Sequence, residues 1–251
     1  MRILLANDDG FSAPGIVQLG EALSRRHEVW VAAPDSNRSG VSNALTLDRP
    51  LYATEVAPNR WQINGTPADC VHIALNCLVP KSPHLVVSGI NNGENMGDDT
   101  LYSGTVAAAM EAYLMGLPAI AFSLAARGWP HLDAAADAAA AFVDHWFAGE
   151  RRHELLNVNF PALPTSEHRG LKVARLGRRH AAEPVLPVHD PQGRPMYWIG
   201  PPGKVRESEE GTDFAAVAAG FTSVTPLHVD LTRTDALDDL RSRLMTGSGH
   251  G

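Results

Sequence analysis

Short apolar runs, each too brief for a helix, alternate with amphipathic helical stretches along the first 165 residues of this chain. The runs are residues 2–7 (RILLAN), 28–33 (EVWVAA), 84–88 (HLVVS), 118–123 (PAIAFS) and 155–160 (LLNVNF). They lack the polar alternation of a half-exposed strand, so they read as strands buried on both faces. Between them, Pro14 starts a segment in which Ile16, Leu19, Gly20 and Leu23 keep helical spacing. Residues 67–79, 104–116 and the Ala-rich 132–148 read as further helices, the second with Val106, Ala109, Met110, Tyr113 and Leu114 on one face. Strands alternating with helices predict a mostly parallel sheet covered on both faces, a three-layer α/β core.

The pattern changes after residue 165. Segments 171–176, 196–199 and 222–232 read as extended, separated by Pro- and Gly-rich connections, and a last helix is expected over 235–245. The expected division is a core over 1–165, a β-rich C-terminal extension with its helix over 166–246, and a frayed tail over 247–251. Residues 44–64 read as two extended segments joined by a turn at Pro58–Asn59.

The formal net charge is −7. A surface that binds a nucleic acid duplex would show a basic excess, so that class of partner is excluded. A small phosphate ligand is allowed, because a metal ion or backbone N–H groups can supply local positive charge. Cys70 and Cys77 on one helix would lie roughly 10 Å apart along its axis, too far for a disulfide. They read as buried thiols in a reducing compartment. No apolar run is long enough to span a bilayer, and the N-terminus lacks the apolar region of a signal peptide, so a cytoplasmic location is expected.

In an open parallel sheet, ligands bind beyond the carboxyl ends of the strands. Three polar loops leave such ends: Asn7–Ser12, Asp35–Asn43 and Gly89–Ser103. The first carries Asp8-Asp9-Gly10 where a dinucleotide-binding loop would carry G-x-G-x-x-G. Successive side chains of a strand point to opposite faces, so two adjacent aspartates share an ion only where the chain leaves the strand. Their bland reading is a turn or a helix cap. The functional reading is a metal site, since carboxylates would repel a phosphate unless a cation lies between them. Ser39, in the second loop with Asn37, Arg38 and Gly40, offers a neutral oxygen. Asn91, just past its strand, offers an amide oxygen. A set of oxygen donors selects Mg²⁺, Mn²⁺ or Ca²⁺ over zinc or copper. Asp98 and Asp99 form a rival acidic pair and are read as cap or turn residues. Ser103-Gly104-Thr105 opens a helix whose free N–H groups would form an anion site, with Ser103 as an ordinary cap. His180, His228 and Asp230 are read as structural or interface residues, the last two on one face of a strand opposite Leu227, Val229 and Leu231. Trp198 is read as a packing residue.

Taken together, the segments RILLANDDG (2–10), APGI (13–16), APDSNRSG (33–40), GTPADCV (65–71), VVSGIN (86–91), YSGTVAAAME (102–111), YWIGPPG (197–203), GTDFAAV (211–217) and TPLHVDLT (225–232) resemble the SurE family of stationary-phase survival proteins, which are metal-dependent nucleotidases. The resemblance spans nearly the whole chain. It implies a Rossmann-like core and a C-terminal extension exchanged between the subunits of a dimer or tetramer. It also implies hydrolysis of nucleoside monophosphates, 5′-nucleotides first, with 3′-nucleotides as further candidates. One divalent ion per subunit, Mg²⁺ or Mn²⁺, would be held by Asp8, Asp9, Ser39 and Asn91. Asp8 and Asp9 would carry the catalysis, with Asn37, Gly40, Ser103, Gly104 and Thr105 against the substrate. Asn92, next to a ligand, is a candidate for tuning substrate choice. The competing expectation is a nucleotide-binding regulatory module without catalysis, which the fold alone would also suit.

Overall fold

The computed structural model describes residues 1–149, 153–179, 184–200 and 203–246. The chain runs β1 (Arg2–Ala6), α1 (Pro14–Ser24), β2 (Glu28–Pro34), β3 (Ala53–Ala57), β4 (Arg60–Ile63), α2 (Pro67–Ile73), β5 (Leu85–Asn92), α3 (Gly104–Leu114), β6 (Ala119–Leu124), α4 (Leu132–Ala148) and β7 (Leu155–Phe160). It continues through β8 (Leu171–Val173), β9 (Leu186–His189), β10 (Pro195–Trp198), α5 (Asp213–Ala218), β11 (Thr222–Pro226) and α6 (Leu237–Thr246). Nine strands form one sheet in the order β3-β4-β2-β1-β5-β6-β7-β11-β8, and β9 and β10 form a separate antiparallel hairpin. The pairs from β4 to β7 are parallel, while β3 and β11 join antiparallel to β4 and β7. This is the expected α/β core. Its sheet does not stop near residue 165: β11 and β8, from the C-terminal part, extend it beyond β7.

Alternation along β1 builds the three layers. Ile3 and Leu5 face a core with Ile16, Leu19 and Leu23 of α1 and Leu132, Phe142 and Val143 of α4. Leu4 and Ala6 face a second core with Cys70 and Val71 of α2 and Val106 and Ala109 of α3. All four β1 side chains are fully buried. Burying such a side chain stabilises the fold by about 1.5–3 kcal/mol, which pins the strand register. The strands on either side of β1, β2 and β5, are reached over opposite faces of the sheet, and the ends of β1 and β5 form the switch point, the place where open α/β sheets take their ligands.

Several local expectations are corrected. The loop expected from residue 89 begins later, because β5 continues to Asn92 after a register shift between Ser88 and Asn91. Gly89 makes this possible: it has φ +128°, and a Cβ there would sit 2.2 Å from the Phe122 carbonyl oxygen. Asn91 is therefore held by the sheet, opposite Ser123 of β6. Cys70 is buried as expected, but Cys77 is exposed. After Ile73 the helix widens into a π turn over Ala74–Leu78. That turn advances each side chain by a smaller angle than an α-helix, so Cys77 rotates off the buried face. Leu114 is exposed too, since α3 is covered by the sheet and by α2 along its first turns and emerges at its end. Pro226 ends β11, so His228 and Asp230 lie in unpaired chain. The alternation survives there: Leu227 and Val229 pack on the second core while His228 and Asp230 face out, but Leu231 is exposed. Trp198, expected to pack, is 68% exposed on β10. His180 and the tail 247–251 lie outside the described residues. Among the described residues no helix is long and apolar enough to cross a membrane.

Candidate active site

The switch point at the ends of β1 and β5 carries Asp8 and Asp9. Asp8 is 3% exposed. Its Oδ1 accepts the hydroxyl proton of Thr105, in the first turn of α3. Gly104 lets the helix come this close, because a Cβ there would lie 2.7 Å from Asp8 Cβ and 3.0 Å from Oδ2. Ser103 caps the same helix, its Oγ accepting the Val106 N–H at 3.0 Å. The head of α3, expected to meet a phosphate, thus first meets an aspartate. A carboxylate at a helix N-terminus is stabilised by the partial positive charge there.

Asp9 is half-buried and turns the other way. Its Oδ2 accepts the backbone N–H of Asn92 at 3.0 Å, and its Oδ1 the side-chain amide of Asn37 at 3.3 Å. The loop after β2 is tied in by the Arg38 N–H, which donates to the Asp8 carbonyl at 2.7 Å. Ser39 belongs to this loop through its N–H, which donates to Asn37 Oδ1 at 2.9 Å, while the residue itself is exposed, as is Gly40. Asn91 donates its amide to the Gly93 carbonyl at 2.9 Å, so its nitrogen is used and its Oδ1 is the atom left for a ligand role.

Burial is the main electrostatic fact. Desolvation pushes the Asp8 carboxyl up to about 6, with the neighbouring Asp9 charge adding to it and the Thr105 hydrogen bond opposing it. Desolvation also raises Asp9, against the Asn92 N–H and the positive charge of Arg127. Neither aspartate has an ion pair within 4.0 Å among the described residues, and the charge of Arg127 reaches Asp9 only from farther away. No group of three His, Cys, Asp or Glu side chains suited to a metal occurs among the described residues. The set expected from the sequence differs in kind, two carboxylates plus the neutral oxygens of Asn91 and Ser39. That suits a hard divalent cation, which takes one or two carboxylates and keeps water in its remaining positions.

The rival pair has other work. Asp98 accepts Arg178 Nη1 at 2.8 Å and the Arg179 N–H at 3.0 Å, and Asp99 lies 3.3 Å from Arg179 Nη1. Both sit in the first turn of a 3-10 helix over Gly97–Leu101, so the turn reading holds and ion pairs are added to it. Asp213, not singled out from the sequence, clamps three segments, accepting the N–H groups of Gly97 at 2.8 Å, Gly177 at 2.8 Å and Phe214 at 2.9 Å. Sequence reasoning also passed over the loop after β6, which leaves a carboxyl strand end like the others and carries Arg127. The same strand-end rule would have found it.

Comparison with known proteins agrees with this architecture. The crystal structure of the SurE protein from Aquifex aeolicus superposes with a TM-score of 0.86 at 40% sequence identity, covering 97% of this chain and 100% of that one. Residues 3–183 match the family described as Survival protein SurE. The chain therefore belongs to the SurE family, and its function is of the phosphatase type carried by that family of nucleotidases.

Proposed function

We propose that this protein is a metal-dependent phosphomonoesterase that hydrolyses nucleoside monophosphates to nucleoside and phosphate. The observation that carries the reading is the pair of adjacent aspartates at the switch point of the sheet, one of them almost fully buried and neither with an ion pair among the described residues. Such a pair beside a phosphate site makes electrostatic sense only with a cation between acid and substrate.

Asp8, Asp9, Asn91 and Ser39 would hold one Mg²⁺ or Mn²⁺ ion per subunit. Such an ion supplies Lewis acidity toward a phosphoryl oxygen and a template for the attacking water. The protein's own contribution is orientation. Thr105 fixes one oxygen of Asp8, and the Asn92 N–H fixes one oxygen of Asp9. The N–H groups at the head of α3 that do not serve Asp8, those of Ser103 and Gly104, favour the charge of the equatorial phosphate oxygens. Asn37 and Gly40 line the β2 side, where the substrate enters. Asp8 would accept the attacking water's proton, which then passes to the departing nucleoside oxygen, so that the step ends in neutral nucleoside and phosphate.

The exposed apolar residues Tyr197, Trp198 and Ile199, at and just beyond the end of the β9–β10 hairpin, support a second part of the reading. This arm reaches a partner subunit, giving a homodimer or a tetramer, and light scattering of the purified protein tests it against a monomer. The free thiols of Cys70 and Cys77 suit the reducing cytoplasm.

Phosphate release from AMP and GMP with Mg²⁺ or Mn²⁺ tests the activity. Release of inorganic phosphate at a rate saturable in nucleotide is the expected result. Binding of metal and nucleotide without release would instead make the site a regulatory nucleotide binder.

A further inference from the structure

We propose that Arg127, on the loop after β6, is a substrate-binding residue that takes a non-bridging oxygen of the phosphate. This rests on the phosphomonoesterase reading above and adds a residue outside the metal-binding set.

The first argument is charge. Asp8 and Asp9 bring two negative charges, which one divalent ion would balance. A phosphate ester then arrives with a charge of about −1.5 to −2 at neutral pH and needs a further cation. The other arginines around the site are occupied. Arg38 pairs with Asp35 at 3.1 Å, Arg179 with Glu94 at 2.6 Å, and Arg178 with Asp98 at 2.8 Å. The Arg127 guanidinium makes no hydrogen bond or ion pair of its own among the described residues, and the residue is exposed.

The second argument is placement. The Arg127 side chain lies across Gly93, where a Cβ would be 3.7 Å from its Cγ and 3.9 Å from its Nε. Gly93 is two residues beyond Asn91, whose amide donates to the Gly93 carbonyl. The loop is held in place there. The Gly128 N–H donates to Asn92 Oδ1 at 2.8 Å, and the Asn92 N–H donates to Asp9, so the loop carrying Arg127 is two hydrogen bonds from the metal-binding pair. The positive charge of Arg127 is felt at both Asp9 and Glu94, whereas that of Arg38 falls on Asp35 and Cys70.

The third argument is the backbone that shapes the loop carrying the arginine. Gly128, Trp129 and His131 all have positive φ, at 85°, 65° and 54°. For Trp129, just before a proline, this conformation is disfavoured twice over. Packing overrides it: the Trp129 ring sits so close to Gly15 that a Cβ there would lie 2.7 Å from two ring carbons. Strain held by packing beside a site marks a loop whose shape is used.

The test compares wild type with Arg127→Gln and Arg127→Lys, all loaded with Mn²⁺. Calorimetry gives the Kd for inorganic phosphate and for Mn²⁺, and steady-state assays give KM and kcat for AMP. The expected result is a rise of about tenfold in phosphate Kd and in KM for Arg127→Gln, with kcat changed less than about threefold. Partial recovery in Arg127→Lys and unchanged Mn²⁺ affinity complete the prediction. A wild-type phosphate Kd in Arg127→Gln would overturn this proposal alone, and so would a loss of phosphate binding that merely follows a loss of Mn²⁺ affinity. Wild-type protein that binds Mn²⁺ but no phosphate would overturn it together with the phosphomonoesterase reading.

Discussion

Asp9 Oδ2 accepts the backbone N–H of Asn92 at 3.0 Å, joining the ends of β1 and β5 across 83 residues of sequence. The donor is main chain, so it orients the carboxylate whatever side chain stands at 92. The other oxygen of Asp9 takes the Asn37 amide from the loop after β2. One carboxylate thereby gathers three strand ends around it.

That arrangement makes Asp9 the residue most sensitive to loss of charge. Asp9→Asn keeps the shape but removes a negative charge and turns an amide donor toward either Asn92 or Asn37. At saturating Mn²⁺, kcat/KM for AMP should fall about 100-fold or more, corresponding to about 2.7 kcal/mol of transition-state stabilisation. Circular dichroism should stay at wild type. Ser39→Ala and Asn91→Ala should lower activity in the same direction but less, because each removes a neutral donor that water can replace. Wild-type turnover in Asp9→Asn would remove Asp9 from the site.

Thr105 acts through Asp8. Thr105→Val keeps the volume but deletes the hydroxyl that donates to Asp8 Oδ1. The carboxylate then loses a stabilising hydrogen bond in a buried place and becomes freer to turn. Mn²⁺ affinity should drop about tenfold, as is usual when a partner behind a metal ligand is lost. Calorimetric titration reads this directly, and an unchanged Kd would show that the bond does no orienting.

Gly104→Ala tests the close approach of α3. The added methyl would meet Asp8 Cβ at 2.7 Å and Pro67 Cγ at 3.0 Å, so the helix or the aspartate must shift. Overpacking of this kind costs about 1–3 kcal/mol, which urea unfolding would register, and activity should fall with it. A Gly104→Ala variant of wild-type stability would show that the helix head does not press on Asp8.

The raised Asp8 carboxyl gives a pH-dependent signature in the metal-free protein. In the fold it titrates at about 6, against 3.8 for an ordinary aspartate. Between those values the folded state holds one more proton than the unfolded chain. The group's stabilising effect is therefore fully present below about pH 4 and is lost as pH rises through about 6, a swing on the order of 3 kcal/mol. Metal reverses the sign, because it binds only the ionised form. Added Mn²⁺ should thus raise Tm clearly at pH 7.5 and much less at pH 5, as followed by differential scanning fluorimetry. An equal shift at both values would contradict the burial of Asp8.

The parallel core was legible in the sequence because its strands are apolar on both faces, as Ile3 to Ala6 show by serving two cores in turn. The strand end that carries Asp8 and Asp9 was legible from the Asp-Asp-Gly turn, whereas the contacts of Thr105, Asn92 and Asn37 with the two carboxylates were not. Less was visible where tertiary contacts decide. The continuation of β5 to Asn92 depends on the fit of Gly89 against the Phe122 carbonyl, a contact 33 residues apart in sequence. The outward turn of Cys77 depends on a helix widening after Ile73 that propensity does not encode. The pairing of β11 with β7 depends on a return of the chain after the hairpin, and the short β8, Leu171–Val173, carries too few residues for a pattern. The loop of Arg127 lay within reach of the strand-end rule, but its shape, set by the packing of Trp129 on Gly15, did not.

The central claim is that the Asp8–Asp9 pair holds a divalent cation on which turnover depends. The direct measurement is phosphate release from AMP by protein stripped with EDTA, then dialysed, and then reloaded with increasing Mn²⁺. Activity should vanish on stripping and return in step with one Mn²⁺ bound per chain, and Asp9→Asn should fail to recover it. Full turnover by the stripped protein, or recovery that is the same in Asp9→Asn, would contradict the claim.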